Sequence, residues 1–298
     1  MTTIDGLLVI DKPRGMTSRD AVDRAQTWFP RNTRIGHTGT LDPLATGVLV
    51  LCIGTATRLT EYVQQMPKVY RAGITLGATS DTDDADGAIT PKPDAMIPDR
   101  DRIEQELAAF LGKIEQVPPA YSAAKVQGRR AYALARKGKE FDLQPRQVTI
   151  HRIDVLHYES PHLEILVRCG KGTYIRSLAR DLGKQLQCGG YIASLRRHSV
   201  GWFTATDAVH IDSEATLARE HLLPPWRAIQ DWPPTLVSDA DAAKLRQGQS
   251  IAHVHAHDAY DEIGHVAVVD NAQQMVAVVK PVDGFLQPVK VLVGKESG

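Results

Sequence analysis

Residues 36–54 read GHTGTLDPLATGVLVLCIG. The first half of this stretch places one carboxylate, Asp42, beside the rigid Pro43 and among glycines, and the second half is the apolar run of a buried strand. Glycine lets the backbone approach a ligand closely, and functional side chains concentrate on loops that rigid elements hold. The stretch predicts a stiff loop that presents Asp42, although a plain turn with a capping aspartate would use the same residue types.

The composition indicates a soluble globular protein. The chain has 298 residues, of which 43% are hydrophobic and 23% are charged, enough for one large domain or two. Its longest apolar run, residues 48–53, is too short to cross a bilayer, and no basic region precedes an apolar stretch at the N-terminus, so we expect no signal peptide. The widely spaced Cys52, Cys169 and Cys188 form no zinc or disulfide pattern, which favours the cytoplasm.

Charge is balanced overall but is distributed unevenly. Residues 121–152 hold eight basic and two acidic side chains, and residues 168–198 hold seven and one. Residues 81–106 and 211–298 are acidic. Each basic block could be a solvated helix face, but two of them favour a polyanionic partner.

Local patterns outline the elements around the Asp42 loop. Ser18 and Thr173 are N-cap residue types, and each precedes a run with helical apolar spacing. Prolines at 224–225 and 233–234 indicate a linker, and short strands beyond it predict a small second domain. Alternating histidines could share a strand face and bind a metal there, although a polar loop is the simpler interpretation; they are His253, His255 and His257.

The opening stretch closely resembles the catalytic motif of the TruB family of tRNA pseudouridine synthases. Further segments resemble other motifs of this family, in the same order along the chain. They are GLLVIDKPRGMTS (residues 6–18), KVYR (68–71), VPPAYSAAKVQGRRAYALA (117–135), KGTYIRSLARDL (171–182) and YIASLRR (191–197).

The resemblance implies an α+β fold. We expect a pseudouridine synthase catalytic domain over residues 1–232, with a mixed, mostly antiparallel sheet flanked by helices. A small β-barrel, similar to the PUA domain, would follow over residues 235–298. The implied substrate is the T-loop uridine at position 55 of tRNA, with the T-arm stem-loop as the element recognised. We expect a monomer, without a membrane or an obligate protein partner.

The resemblance also assigns the chemistry. Asp42 is the essential carboxylate, which either attacks the nucleoside covalently or takes a proton from the ribose. Arg176 is the cation that keeps it ionised, because an opposite charge a few ångströms away lowers the pKa of a carboxyl. Tyr70 stacks on the target base and assists removal of the C5 proton.

The remaining implied residues bind substrate. Tyr174 and Leu195 line the uracil pocket, and His37 fills or props the space that the extruded base leaves. Lys12 either supports the active-site loop or contacts a phosphate. The reaction involves no redox change, hydrolysis or group donor, so we expect no cofactor and no metal.

Two alternative functions are compatible with parts of the same sequence. An RNA-binding or RNA-folding protein would need the basic blocks without the chemistry. A glycoside hydrolase would need paired carboxylates, and no second carboxylate stands in a motif comparable to that of Asp42.

Overall fold

The computed structural model describes residues 4–122, 124–126, 129–135, 141–232, 234–252 and 264–292. The strands, in chain order, are β1 (Gly6–Lys12), β2 (Ile35–His37), β3 (Thr46–Ile53), β4 (Lys68–Leu76), β5 (Ala78–Ser80), β6 (Ile89–Pro91), β7 (Gly112–Gln116), β8 (Lys125–Val126), β9 (Arg129–Arg130), β10 (Arg146–Glu159), β11 (His162–Cys169), β12 (Gly190–Val200), β13 (Phe203–Thr204), β14 (Val209–His210), β15 (Pro234–Leu236), β16 (Ile251–Ala252), β17 (Val266–Val269), β18 (Met275–Val282) and β19 (Phe285–Val291). The α-helices are α1 (Ser18–Gln26), α2 (Thr60–Gln65), α3 (Arg100–Ala108), α4 (Ala131–Ala135), α5 (Ile175–Gln185), α6 (Ala215–Glu220) and α7 (Asp239–Arg246).

The larger sheet has ten strands. Its path runs β14-β1-β3-β12-β4-β11-β10-β7, with β2 paired to β3 and β13 paired to β12. The β1–β14 and β3–β12 pairs are parallel, and the other pairs along this path are antiparallel. This mixed, mostly antiparallel sheet with packed helices confirms the predicted α+β class.

Strands β1 and β3 lie at the centre of two cores, one on each face of the sheet. Their odd and even positions enter different hydrophobic clusters, which explains why both sequences are continuous apolar runs instead of alternating ones. One face packs against helices α1, α3 and α5, and the other packs against the segment around α2 and against the C-terminal strands. The strand that follows the Asp42 loop is therefore fixed from both sides.

The C-terminal strands form a second, five-stranded sheet of order β15-β17-β18-β19-β16. It has its own apolar cluster around Val268, Val276 and Leu245. It forms a half-barrel at the place where the resemblance predicts a small β-barrel. An ion pair of 2.8 Å between Lys290 of β19 and Glu61 of α2 links this sheet to the segment that packs on the larger sheet. His253, His255 and His257 lie outside the described residues.

No helix in the described ranges is long and apolar enough to cross a membrane.

Candidate active site

The main chain of the Asp42 loop is held on both sides of Asp42 by residues that follow β1. The Ser18 hydroxyl donates to the Leu41 carbonyl at 3.0 Å and accepts from the Leu41 amide at 2.7 Å. The Gly15 amide donates to the Pro43 carbonyl at 2.8 Å. Both neighbours of Asp42 are thus fixed. The prediction that Ser18 caps α1 is wrong by one residue: Thr17 is the N-cap, and Ser18 instead ties the helix to the loop.

The loop enters β3 at a position that only glycine can occupy. Gly47 has a φ of +100°, and a Cβ there would lie 2.2 Å from the Arg197 carbonyl oxygen. The cause is the parallel pairing of β3 with β12, in which Gly47 stands opposite Arg197. The close approach of these two backbones sets where the loop leaves the sheet.

Arg176 stands in the first turn of α5 and contacts Asp42 directly. Its Nε lies 2.9 Å from Asp42 Oδ2, and its side chain is 5% exposed. The other guanidinium nitrogens donate at 2.9 Å to the carbonyls of Thr82 and Tyr121. The helix begins after Tyr174, which is its N-cap, so the prediction of Thr173 at this position is also wrong by one residue.

A second carboxylate, Asp84, reaches the same guanidinium. Its Oδ2 lies 3.2 Å from Arg176 Nη1, and its other oxygen accepts from the Thr82 hydroxyl at 2.7 Å and from the Asp86 amide at 3.1 Å. Asp84 is 5% exposed and does not line the pocket. Arg176 is therefore shared between one carboxylate that faces the pocket and one that is buried behind it.

These neighbours shift the pKa of Asp42 in opposite directions. Burial raises the pKa of this carboxyl above its usual value, and the charge of Asp84 raises it further. The charges of Arg176 and Lys12 lower it. The net shift is upward, so the two cations reduce, without cancelling, the cost of keeping Asp42 ionised in this site.

A pocket of about 240 Å³ opens above Asp42. Five of the seven predicted site residues line it together: Asp42, Tyr70, Tyr174, Arg176 and Leu195. They come from four segments of the chain, namely the Asp42 loop, β4, the start of α5 and β12. The other two predicted residues, His37 and Lys12, do not line it.

Two tyrosines lie on the pocket wall in different settings. Tyr70 projects from β4, and burial raises the pKa of its phenol, while Arg197 lowers it. Tyr174 is held through its backbone, because Gln116 accepts from its amide at 2.8 Å and donates to its carbonyl at 3.0 Å. Leu195, 8% exposed, supplies an apolar wall from β12.

Lys12 supports the loop from below. It is fully buried, and its Nζ donates to the carbonyls of Pro13 at 2.8 Å and Met16 at 2.7 Å, which fixes the turn that carries Gly15. Burial lowers its pKa to about 8. The side chain has no solvent-exposed surface in this structure, which favours support of the loop over contact with a phosphate as the role of Lys12. His37 ends β2 and is half-buried.

Comparison with protein families agrees with this geometry. Residues 27–175 match the N-terminal domain model of the TruB family of pseudouridylate synthases, and residues 176–223 match the C-terminal domain model of tRNA pseudouridylate synthase B. A curated relative named tRNA pseudouridine synthase B, from Clostridium kluyveri, is 43% identical over 83% of this chain and 86% of its own. A relative of the same name from a Caulobacter species is 41% identical over 97% of this chain and 96% of its own. The chain belongs to the TruB family.

Solved structures show a similar fold at greater sequence distance. A chain in the crystal structure of a Cbf5-Nop10-Gar1 complex superposes with a TM-score of 0.71 over 98% of this chain and 86% of that one, at 23% identity. Another, in an H/ACA ribonucleoprotein bound to a substrate RNA containing 2′-deoxyuridine, gives a TM-score of 0.70 at 22% identity. At these identities the likeness concerns the fold.

Membership of the TruB family makes the chain a pseudouridine synthase, which is an isomerase. The structure also weakens the glycoside hydrolase alternative. Asp84 is a second carboxylate near Asp42, which the sequence interpretation missed, but it is buried behind Arg176 and does not face the pocket. A glycoside hydrolase that uses paired carboxylates needs both of them at the scissile bond.

The charge of the basic block at residues 168–198 favoured a surface for a polyanionic partner, but much of this charge lies in contacts within the protein. Four of its arginines are bound within the protein. Arg176 pairs with Asp42 and Asp84, Arg180 with Asp83 and Asp181, Arg196 with Asp11, and Arg197 with main-chain carbonyls. Its surface charge comes instead from Arg168, Lys171 and Lys184, which are exposed.

Proposed function

We propose that this chain converts the T-loop uridine at position 55 of tRNA to pseudouridine, with Asp42 as the reacting carboxylate. The observation that carries the proposal is the contact of 2.9 Å between Asp42 and the buried Arg176 at the wall of a pocket that Tyr70 also lines. The sequence likeness to relatives named tRNA pseudouridine synthase B supports the choice of tRNA.

The reaction breaks the N1–C1′ bond of uridine and forms a C5–C1′ bond. A proton leaves C5 and a proton joins N1, so no atom is gained from outside except by exchange with water. Asp42 begins the reaction either by attack on the nucleoside or by removal of a ribose proton. Both routes need the ionised carboxylate, and Arg176 favours that form through its positive charge at ion-pair distance.

The base must leave its stack to reach Asp42, at a cost of about a few kcal/mol. Stacking on Tyr70 would return roughly 1–3 kcal/mol of this. We also assign to Tyr70 a part in removal of the C5 proton, and Tyr174 and Leu195, which line the same pocket, would enclose the uracil. We assign to His37 the space left by the extruded base and to Lys12 the support of the Asp42 loop.

The organisation of the chain completes the proposal. Residues 1–232 would form the catalytic domain and residues 235–298 a PUA-like domain that contributes to RNA binding. The T-arm stem-loop would be sufficient as substrate, and the protein would act as a cytoplasmic monomer. No step of the reaction calls for a cofactor or a metal.

The first experiment measures pseudouridine directly. Purified protein is incubated, with chelator and without added cofactor, with an unmodified tRNA transcript and with a T-arm stem-loop, and pseudouridine is mapped by carbodiimide-based primer extension. We expect one new site, at the T-loop uridine, on both RNAs. A protein that binds both RNAs but modifies neither would instead favour the RNA-folding alternative.

The variant Asp42→Asn tests the assigned carboxylate. We expect the single-turnover rate to fall by at least about 10³-fold because the amide can neither attack nor accept a proton, with tRNA affinity unchanged. The matched control is Asp23→Asn, which removes a carboxylate that is exposed on α1 and paired with Arg19. Wild-type turnover in Asp42→Asn would refute the assignment.

A further inference from the structure

A second arginine, Arg197, lies fully buried beside the pocket. Its side chain is 1% exposed and is among the largest fully buried side chains of the described residues. Its Nε donates to the Val48 carbonyl at 2.7 Å, and its Nη2 donates to the Gly39 carbonyl at 3.1 Å. Its Nη1 lies 3.5 Å from the Thr40 carbonyl and 3.4 Å from the Tyr70 phenol oxygen.

This set of partners is unusual for a buried guanidinium. Buried charges normally pair with an opposite charge because removing them from water is costly. In the described part of the chain, Arg197 is held by carbonyls and by a phenol, and no carboxylate is within ion-pair distance. A cation kept in such a place at that cost indicates a demand on geometry, since the planar guanidinium can hold several acceptors in fixed directions.

The partners of Arg197 belong to two separate pieces of the pocket. Gly39 and Thr40 begin the loop that carries Asp42, and Val48 lies in the strand after that loop. Tyr70 stands opposite Arg197 in the antiparallel pairing of β12 with β4. Arg197 is therefore the side chain that joins both ends of the Asp42 loop to the strand of Tyr70.

We propose that Arg197 is a positioning residue that fixes the Asp42 loop and the Tyr70 phenol relative to each other, so that the carboxylate and the ring meet the same nucleotide. The proposal rests on the proposed function. Because the phenol oxygen accepts from Arg197, its own proton points elsewhere, which sets the orientation of Tyr70 as well as its location. A shift of the order of 1 Å between reacting groups can cost about 10²-fold in rate.

The test uses Arg197→Lys, which keeps the charge but cannot span the Val48 and Gly39 carbonyls together. We expect the single-turnover rate at saturating tRNA to fall by roughly 30-fold, with the Kd for tRNA within about twofold of wild type. The matched control is Arg71→Lys, next to Tyr70 on the opposite face of β4, where an exposed arginine pairs with Glu164 at 2.6 Å. The control rate should stay within about twofold of wild type.

A double-mutant cycle with Tyr70→Phe separates positioning from general support of the fold. If Arg197 acts partly through the phenol, the rate penalty of Arg197→Lys becomes at least about fivefold smaller when Tyr70 is already phenylalanine. A residue that only stabilises the fold would give the same penalty in both backgrounds. Circular dichroism and thermal unfolding monitor the fold, and Arg197→Gln, which retains an amide donor without the charge, replaces any Arg197→Lys protein that fails to fold and should lose at least as much rate.

The outcomes distinguish this inference from the proposed function. Wild-type protein that makes no pseudouridine would refute both. Active wild type together with a folded Arg197→Lys of equal rate, or with a loss confined to the Kd for tRNA, would refute the positioning role alone. An additive double-mutant cycle would overturn the link to Tyr70.

Discussion

The pocket has two buried arginines, and they are held in opposite ways. Arg176 is placed between the carboxylates of Asp42 and Asp84, whereas Arg197 contacts carbonyls and a phenol. Arg176 acts on the charge of Asp42, and protonation of that carboxylate would change the surroundings of the arginine. The second has no titratable carboxylate beside it in the described residues, and its effect is one of shape. The same type of side chain thus sets the charge of a reacting group on one wall of the pocket and the geometry of the site on another.

Among the variants that alter the charges around Asp42 through its neighbours, Arg176→Lys should reduce the single-turnover rate most. A lysine ammonium cannot contact Asp42, Asp84 and two carbonyls at once, so the ion pair with Asp42 is weakened or lost. We expect the single-turnover rate to fall by roughly 10²- to 10³-fold with little change in tRNA affinity. Arg180→Lys, one turn further along α5, is the control and should lose less than about tenfold. Similar losses in both variants would mean that the helix, and not the contact, is responsible.

Asp84→Asn separates charge from shape within the same cluster. The amide oxygen can still accept from Thr82 and Asp86, but the negative charge is gone. Since that charge raises the pKa of Asp42, its removal should lower this pKa and move the acid limb of the rate profile to lower pH. We expect the plateau rate to fall by roughly 10- to 100-fold because Arg176 loses one anchor. An unchanged acid limb, measured by single turnover across pH, would contradict the electrostatic account.

Lys12→Met should shift the acid limb of the pH–rate profile in the opposite direction to Asp84→Asn, and by less. The Lys12 charge lowers the pKa of Asp42, so its loss should move the acid limb to higher pH, with a plateau rate reduced only a fewfold. A companion rate profile of Arg197→Lys should keep the wild-type acid limb, because Arg197 does not contact Asp42. A shifted limb in that variant would erase the distinction between the two arginines.

The stability of Lys12→Met gives an independent measurement. Burial lowers the pKa of Lys12 to about 8 in the folded protein, from 10.5 in the unfolded chain. Between these values the unfolded state binds more protons, so wild-type stability rises with pH through this window. Lys12→Met should lack that part of the rise in thermal unfolding experiments. Lys68, whose pKa burial also lowers to about 8, would supply what remains of it.

The sequence was most informative where its motifs are local. The Asp42 loop, its buried strand and the small C-terminal sheet followed from apolar runs, glycines and prolines, and the family resemblance named five residues that do line one pocket. The caps of α1 and α5 were each missed by one residue. Thr17 and Ser18 are adjacent residues of cap type, and the contact of Ser18 with Leu41 takes it out of the cap position. Tyr174 caps α5 without a side-chain hydrogen bond, so no residue type indicated it. No local signal distinguishes a capping serine from one that binds a distant loop.

The missed residues depend on contacts between distant parts of the chain. Asp84 stands in an acidic run, in which spacing alone does not indicate which carboxylate turns inward to Arg176. Arg197 was counted as surface charge, since an arginine in a basic block is usually solvated, and only the pairing of β12 with β3 and β4 buries it. Sequence could supply the chemical groups of the site but not the way in which charge is divided among them.

The double burial of β3 links the reactive loop to the far end of the chain. On the back of that strand, Val48 and Val50 share an apolar cluster with Val278 and Leu292 of the C-terminal region. A chain that ends before that region would expose the apolar face of β3 to solvent. Local unfolding there would loosen the loop that Gly47 and Arg197 hold. The C-terminal sheet thus supports the active site from behind, in addition to being a candidate surface for RNA.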